Sequence, residues 1–133
     1  MQIVGIFAIM FVGITVAALW FAHSSSKIES KKELQQKKIE EAREIFEKSP
    51  FNTYHGPKKP KLLIITSSAC ALYSREAISL LGLEDKVGML KLGTTWPLPP
   101  KLLKKYLSTT NKILVIEEVL PFLEENVKIL ALE

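Results

Sequence analysis

From Lys61 onward the chain alternates short apolar runs with stretches of helical spacing, and few architectures accept that order. "LLIIT" (62–66) ends in small polar residues, and residues 71–81 follow with the spacing of a helix. "VGMLKLG" (87–93) reads as a second strand and residues 99–107 as a second helix. "KILVIEEV" (112–119) reads as a third strand and residues 121–132 as a third helix. Parallel strands need a crossover between them, so this alternation predicts βαβ units and a mainly parallel sheet. The first and third runs are apolar on both faces, whereas the second carries Lys91. That places the first strand at the centre, flanked by the other two, with helices on both sides. The expected fold is a three-layer α/β sandwich around a small sheet. Three strands leave two open edges and a thin core, so the domain is expected to have neighbours.

The region before it divides into three parts. Residues 3–22, "IVGIFAIMFVGITVAALWFA", hold no charged side chain. At ~1.5 Å per residue they make roughly 30 Å of helix, the thickness of a bilayer's hydrocarbon. There is no basic segment before the run and no small-x-small cleavage site after it, so residues 1–26 are expected to form an uncleaved transmembrane helix. Lys27, Lys31, Lys32, Lys37 and Lys38 follow it, which would put the remainder on the cytoplasmic side. Gly13 and Ala17 form a small-xxx-small pair. After "HSSS", Ser30 with Glu33 has the form of a capping box, and a charged connector helix is expected over residues 27–49. Glu33 with Lys37, and Glu44 with Lys48, are i,i+4 pairs that support it. "SPFNTYHGPKKPK" then breaks all periodicity, and residues 50–60 read as a linker to the domain at 61–133.

Composition excludes several functions. Residues 27–48 carry seven positive and six negative charges, so the stretch is mixed rather than basic. No Arg-rich patch with interleaved aromatics suggests nucleic acid. Cys70 is the single cysteine, which excludes an internal disulfide and a thiolate cluster, and it reads as a small core residue. His23 and His55 stand without a ligand or base partner at motif spacing. No Gly-x-x-x-x-Gly-Lys-Ser/Thr or Gly-x-Gly-x-x-Gly motif is present for a nucleotide. In open parallel sheets ligands bind beyond the carboxyl ends of the strands. Here three loops meet at that end: residues 67–69, residues 93–97, and Glu117 with Glu118. The helix amino termini behind them are expected to offer N–H groups to an anion. Glu117 and Glu118 are adjacent, so on extended backbone they point to opposite faces and cannot act as a facing acid/base pair. One is expected to bond a helix amino terminus while the other meets solvent or a partner. Trp96, held between Thr95 and Pro97, has the form of a rigid packing or interface anchor.

Four segments together carry a resemblance: "SPFN" (49–52), "LLIITS" (62–67), "LYSREAISLLGLEDKVGMLKLGTTWPLPPKLL" (72–103) and "KILVIEEVLPFLEENVKILA" (112–131). In this combination, with "LGTTWPLP" and "EEVLPFLEE" at their separation, the chain resembles the alpha subunit of indolepyruvate:ferredoxin oxidoreductase, a thiamine-diphosphate 2-oxoacid oxidoreductase. The likeness covers roughly residues 31–132. Residues 61–133 resemble its transketolase carboxyl-terminal-like domain, and the charged helix with "SPFN" resembles the connector leading into it. The resemblance implies a mixed sheet with an outer strand at either side, the last of which is missing from residues 61–133. It also implies that Thr94, Thr95, Trp96, Pro97, Glu117, Glu118, Pro121 and Phe122 are interface or support residues, with no catalytic residue among them.

For the complete enzyme the resemblance implies thiamine diphosphate, magnesium and iron–sulfur clusters, a beta subunit, and ferredoxin as electron acceptor. It implies oxidative decarboxylation of aryl pyruvates to aryl-acetyl-CoA. The thiamine/magnesium and Cys-x-x-Cys motifs are not in these 133 residues, where Asp85 is the only Asp. None of those cofactors is therefore expected on this chain, and it is not expected to be active alone. Ser68 stands where the family usually has Gly after the first strand. The alternative reading is a membrane-anchored α/β binding module, held in the bilayer by residues 3–22, that recruits a cytoplasmic partner. If the amino-terminal segment is not an anchor, a cytoplasmic location is expected.

Overall fold

The computed structural model describes residues 3–132 and the side chains from Trp20 to Leu132. The chain divides into two compact units, one running through Glu40 and the other starting at Glu41. A single helix, α1 (Ile3–Phe46), spans 44 residues. It does not break at "HSSS". Ser26 Oγ donates to the His23 carbonyl (2.9 Å) and Ser30 Oγ to the Lys27 carbonyl (3.0 Å), the i−3 bonds a serine makes inside a helix. Ser30 is thus an interior residue rather than an N-cap. With no Pro or Gly between Trp20 and Lys48, three serines cost the helix too little to end it.

The transmembrane helix expected over residues 3–22, and with it the membrane-anchored location, the membrane partner and the anchored-module alternative, is corrected. Among the described residues no helix is long and apolar enough to cross a membrane. The side chains described for α1 are those from Trp20 onward. From Lys27 onward it carries charges every few residues, and nearly all of its side chains up to Glu41 are exposed. Residues 1–19 of the expected span lie outside those whose side chains are described.

The second unit holds β1 (Thr53–His55), β2 (Leu62–Ser67), α2 (Cys70–Leu80), β3 (Val87–Leu92), α3 (Pro100–Leu107), β4 (Ile113–Ile116) and α4 (Phe122–Leu132). The sheet order is β1-β3-β2-β4. β2 lies between β3 and β4 and pairs with both in parallel, with Ile64 opposite Met89 on one side and Leu114 on the other. The three parallel strands and their order follow the alternation in the sequence. β1 does not. It pairs antiparallel with β3, Tyr54 opposite Leu90, within the stretch read as a linker. It forms because Tyr54 has a seat: Gly88 on β3 lacks a Cβ where the Tyr54 phenol lies. The Tyr54 ring stacks on Tyr106 at 4.4 Å between centroids, and its hydroxyl donates to the Pro57 carbonyl at 2.5 Å.

Alternation along the strands splits the core into two layers. Leu63 and Ile65 of β2, with Leu90 and Leu92 of β3, face Leu103 of α3 and Leu123 and Val127 of α4. On the opposite face Ile64, Val87 and Met89 pack with Ile78 of α2 and with Leu83. Leu63, Ile65 and Leu103 are fully buried, each contributing about 1.5–3 kcal/mol relative to an exposed position. Thr66, at the carboxyl end of β2, is also fully buried, and its hydroxyl has no hydrogen-bond partner. α2 packs over β2 and β3, and Ile113 and Leu114 of the edge strand β4 remain exposed.

Candidate functional site: the corner at the strand ends

The residues of "SPFNTY" and "LGTTWP" meet at the carboxyl end of β3. Asn52 joins them. Its Oδ1 accepts from the Gly93 N–H (2.9 Å) and the Thr94 N–H (3.2 Å). Its Nδ2 donates to the Phe46 carbonyl at the end of α1 (2.9 Å) and to Thr94 Oγ1 (2.9 Å). One amide thus ties the last turn of α1 to the β3–α3 loop. Gly93 is required there by contact: a Cβ would stand 2.5 Å from Phe51 Cβ and 2.7 Å from the Phe51 carbonyl oxygen. Thr94 is half-buried in this clamp, while Thr95 is exposed. The Trp96–Pro97 peptide is cis, Pro97 is buried, and the Trp96 ring is 59% exposed. Trp96 meets Phe122 edge to face, with centroids 5.8 Å apart and planes at 67°.

The amino termini of α3 and α4 are already occupied, whereas that of α2 has no side-chain cap. Glu117 reaches the start of α4, where its Oε2 accepts from the Leu123 N–H (2.6 Å) and its Oε1 from the Glu124 N–H (2.9 Å). Glu47, from the turn after α1, does the same for α3: its Oε1 accepts from the Lys101 N–H (2.7 Å) and its Oε2 from the Leu102 N–H (2.8 Å). These are charge-assisted bonds to the donors that an incoming anion would use. The expectation that α3 and α4 offer N–H groups to a ligand is therefore corrected. Glu118 is exposed, and its neighbour Val119 is 98% exposed at φ 70°, a conformation that β-branched residues rarely adopt. Ser68 has φ 51°, a left-handed conformation that favours glycine.

A cavity of about 340 Å³ opens between the loops, lined by Ser67, Ser68, Thr95, Glu117, Glu118 and Phe122 among others. The structure therefore brings Thr95, Glu117, Glu118 and Phe122 together around one cavity and sets Trp96 against Phe122. Thr94 is half-buried and Pro97 buried, neither lining that cavity, and Pro121 is exposed just before α4. Cys70 is a free, buried thiol. His55 sits opposite Met89, near the other end of β3. Among the described residues no group of three or more His, Cys, Asp or Glu side chains comes together to hold a metal. Asn52 and Glu47, which organise the corner, were missed from sequence because their partners lie about forty to fifty-five residues away.

These features define an open-sheet α/β domain in which the helix amino termini of α3 and α4 are capped by its own carboxylates. Over 95 residues the chain is 42% identical to indolepyruvate oxidoreductase subunit IorA of Pyrococcus horikoshii, covering 71% of this chain and 14% of that subunit. The IorA subunits of Thermococcus kodakarensis (43% over 91 residues, 68% of this chain) and Methanothermobacter thermautotrophicus (36% over 91 residues, 68% of this chain) are similar to it as well. The resemblance read from the sequence is borne out: this chain is a relative of one segment of that oxidoreductase subunit. It spans about one seventh of the length of the curated relatives it matches. No family model matches the chain, and no solved structure matches it.

Proposed function

We propose that this chain supplies the bracing and subunit-contact domain of an indolepyruvate:ferredoxin oxidoreductase alpha subunit and is inactive alone. In that reading the complete enzyme oxidatively decarboxylates aryl pyruvates to aryl-acetyl-CoA, with ferredoxin as acceptor. Thiamine diphosphate, magnesium and iron–sulfur clusters belong to its other parts, and the beta subunit and ferredoxin are its partners. One observation carries the reading: carboxylates from within the chain cap α3 and α4, while an indole and a phenyl ring stay exposed beside them. A site for a small anion keeps its donors open. A contact surface presents rigid aromatic groups. Trp96, Thr95, Glu118, Pro121 and Phe122 are the contact residues in this reading. Thr94, Pro97 and Glu117 hold them in place.

A chimera tests it, in which the matching 95 residues of the Pyrococcus horikoshii subunit are replaced by those of this chain. The expected result is an assembled enzyme that reduces a viologen dye with indolepyruvate and coenzyme A. The present chain with thiamine diphosphate and magnesium is expected to give no turnover. A folded chimera that fails to assemble, or turnover by the present chain, overturns the proposal.

A further inference from the structure

We propose that the outward face of α2 is a contact between two copies of this chain, packed antiparallel about a two-fold axis at Glu76. The surface lies on the opposite face of the sheet from α3 and α4, so it stands apart from the contact-domain reading above. α2 buries Cys70, Ala71 and Ser74 on its inner side. Its outer side carries Leu72, Glu76 and Leu80, which at i, i+4 and i+8 run along one line of the helix, with Tyr73 and Ala77 beside them. Leu72 is 58%, Tyr73 68% and Leu80 80% exposed, and Leu81 at the C-cap extends the patch. A contiguous apolar patch of this kind marks a contact site, whereas single exposed apolar residues do not.

The charges at the middle of the patch say what covers it. Arg75 and Glu76 are exposed, and neither has an ion pair or side-chain hydrogen bond among the described residues. A partner of one sign would satisfy one of them and oppose the other, whereas a second α2 satisfies both. In an antiparallel pair centred on Glu76, Arg75 of each copy reaches Glu76 of the other, and the two arginines and two glutamates form a neutral set. The same axis sets Leu72 of one copy against Leu80 of the other at both ends, the self-complementarity that a two-fold contact requires. Antiparallel packing also opposes the two helix dipoles. The exposed parts of the two patches amount to on the order of 1,000 Å², the lower end of specific interfaces, so a weak, concentration-dependent dimer is expected.

The test is sedimentation equilibrium of the full chain over about 5–500 μM, where a monomer–dimer equilibrium with a midpoint on the order of 10–100 μM is expected. Leu80→Asp is expected to leave a monomer throughout. Arg75→Glu and Glu76→Arg are each expected to weaken self-association by about tenfold or more, because each gathers like charges at the axis. Mixed in equal amounts, these two variants are expected to recover association as a heterodimer, since the negative centre of one then meets the positive centre of the other. Leu114→Lys, on the edge strand β4, is expected to change nothing. All four replaced side chains are exposed, so the variants keep the fold. A chain that stays monomeric at the highest concentration, association that survives Leu80→Asp, association lost with Leu114→Lys, or charge variants that associate no better mixed than alone each overturns the proposal.

Discussion

Replacing Asn52 by Ala removes a side chain that serves four groups on two separate segments. The Gly93 N–H is exposed, so water takes over there at little cost. The Thr94 N–H and the Phe46 carbonyl are partly buried, and each such group left without a partner costs about 1 kcal/mol or more. With the lost hydroxyl bond the total is about 2–3 kcal/mol. For a unit of this size each kcal/mol lowers the melting temperature by roughly 4–8 °C, so a fall of roughly 8–24 °C is expected. Of the two tryptophans, Trp96 adjoins the clamp, so melting is followed by its fluorescence in a Trp20→Phe background. Asn52→Asp keeps the acceptor for Gly93 and Thr94 but turns an oxygen toward the Phe46 carbonyl, and is expected to lose about half as much. A fall below about 3 °C for Asn52→Ala would refute the claim that this amide holds the corner.

Glu117→Ala uncaps α4 and is expected to cost about 1–2 kcal/mol, with faster amide exchange at Leu123 and Glu124; unchanged protection there would rule out the cap. Thr66→Val removes a buried hydroxyl without a partner, so urea melts are expected to show no loss and up to about 1 kcal/mol of gain. A loss above about 1 kcal/mol would show that the hydroxyl is bonded. Burial, with the nearby Tyr106 second, raises the Tyr54 phenol above its ordinary value of 10.0. The folded state then holds this proton more tightly than the unfolded state does. Its contribution is full below about pH 10 and is lost as the pH rises through the folded pKa. The difference in urea midpoint between the native chain and Tyr54→Phe is expected to shrink over that window, and a constant difference would contradict it.

The three parallel strands were legible because each is a local pattern: an apolar run, a small polar ending, then helical spacing. β2 does lie between the other two parallel strands, but Lys91 misled about burial: β3 is an inner strand as buried as β2, whereas β4, read as apolar on both faces, is the partly exposed edge. β1 was not legible. Three residues between two prolines carry no period, and they become a strand only because Tyr54 finds Gly88 some thirty residues later. Glu47 and Asn52 escaped for the same reason, since nothing beside them in the sequence reveals a partner on α3 or after β3. The serines misled in the opposite direction. Ser30 and Glu33 match a local capping pattern, but capping matters only where a helix begins, and here it continues through both. Of the corner, the sequence showed the rings and that one of Glu117 and Glu118 bonds a helix amino terminus while the other faces outward, but not the Glu47 cap on α3.

The sheet's two margins differ in a way that bears on handling the protein in solution. On one side β1 is three residues long, flanked by Gly56 and Pro57, and too short to template another strand. On the other side β4 presents four consecutive apolar residues, two of them exposed, along a margin that no strand among the described residues covers. Sheet-to-sheet association at high concentration is thereby directed to the β4 margin. A charged substitution at Leu114 is the economical way to keep concentrated samples dispersed.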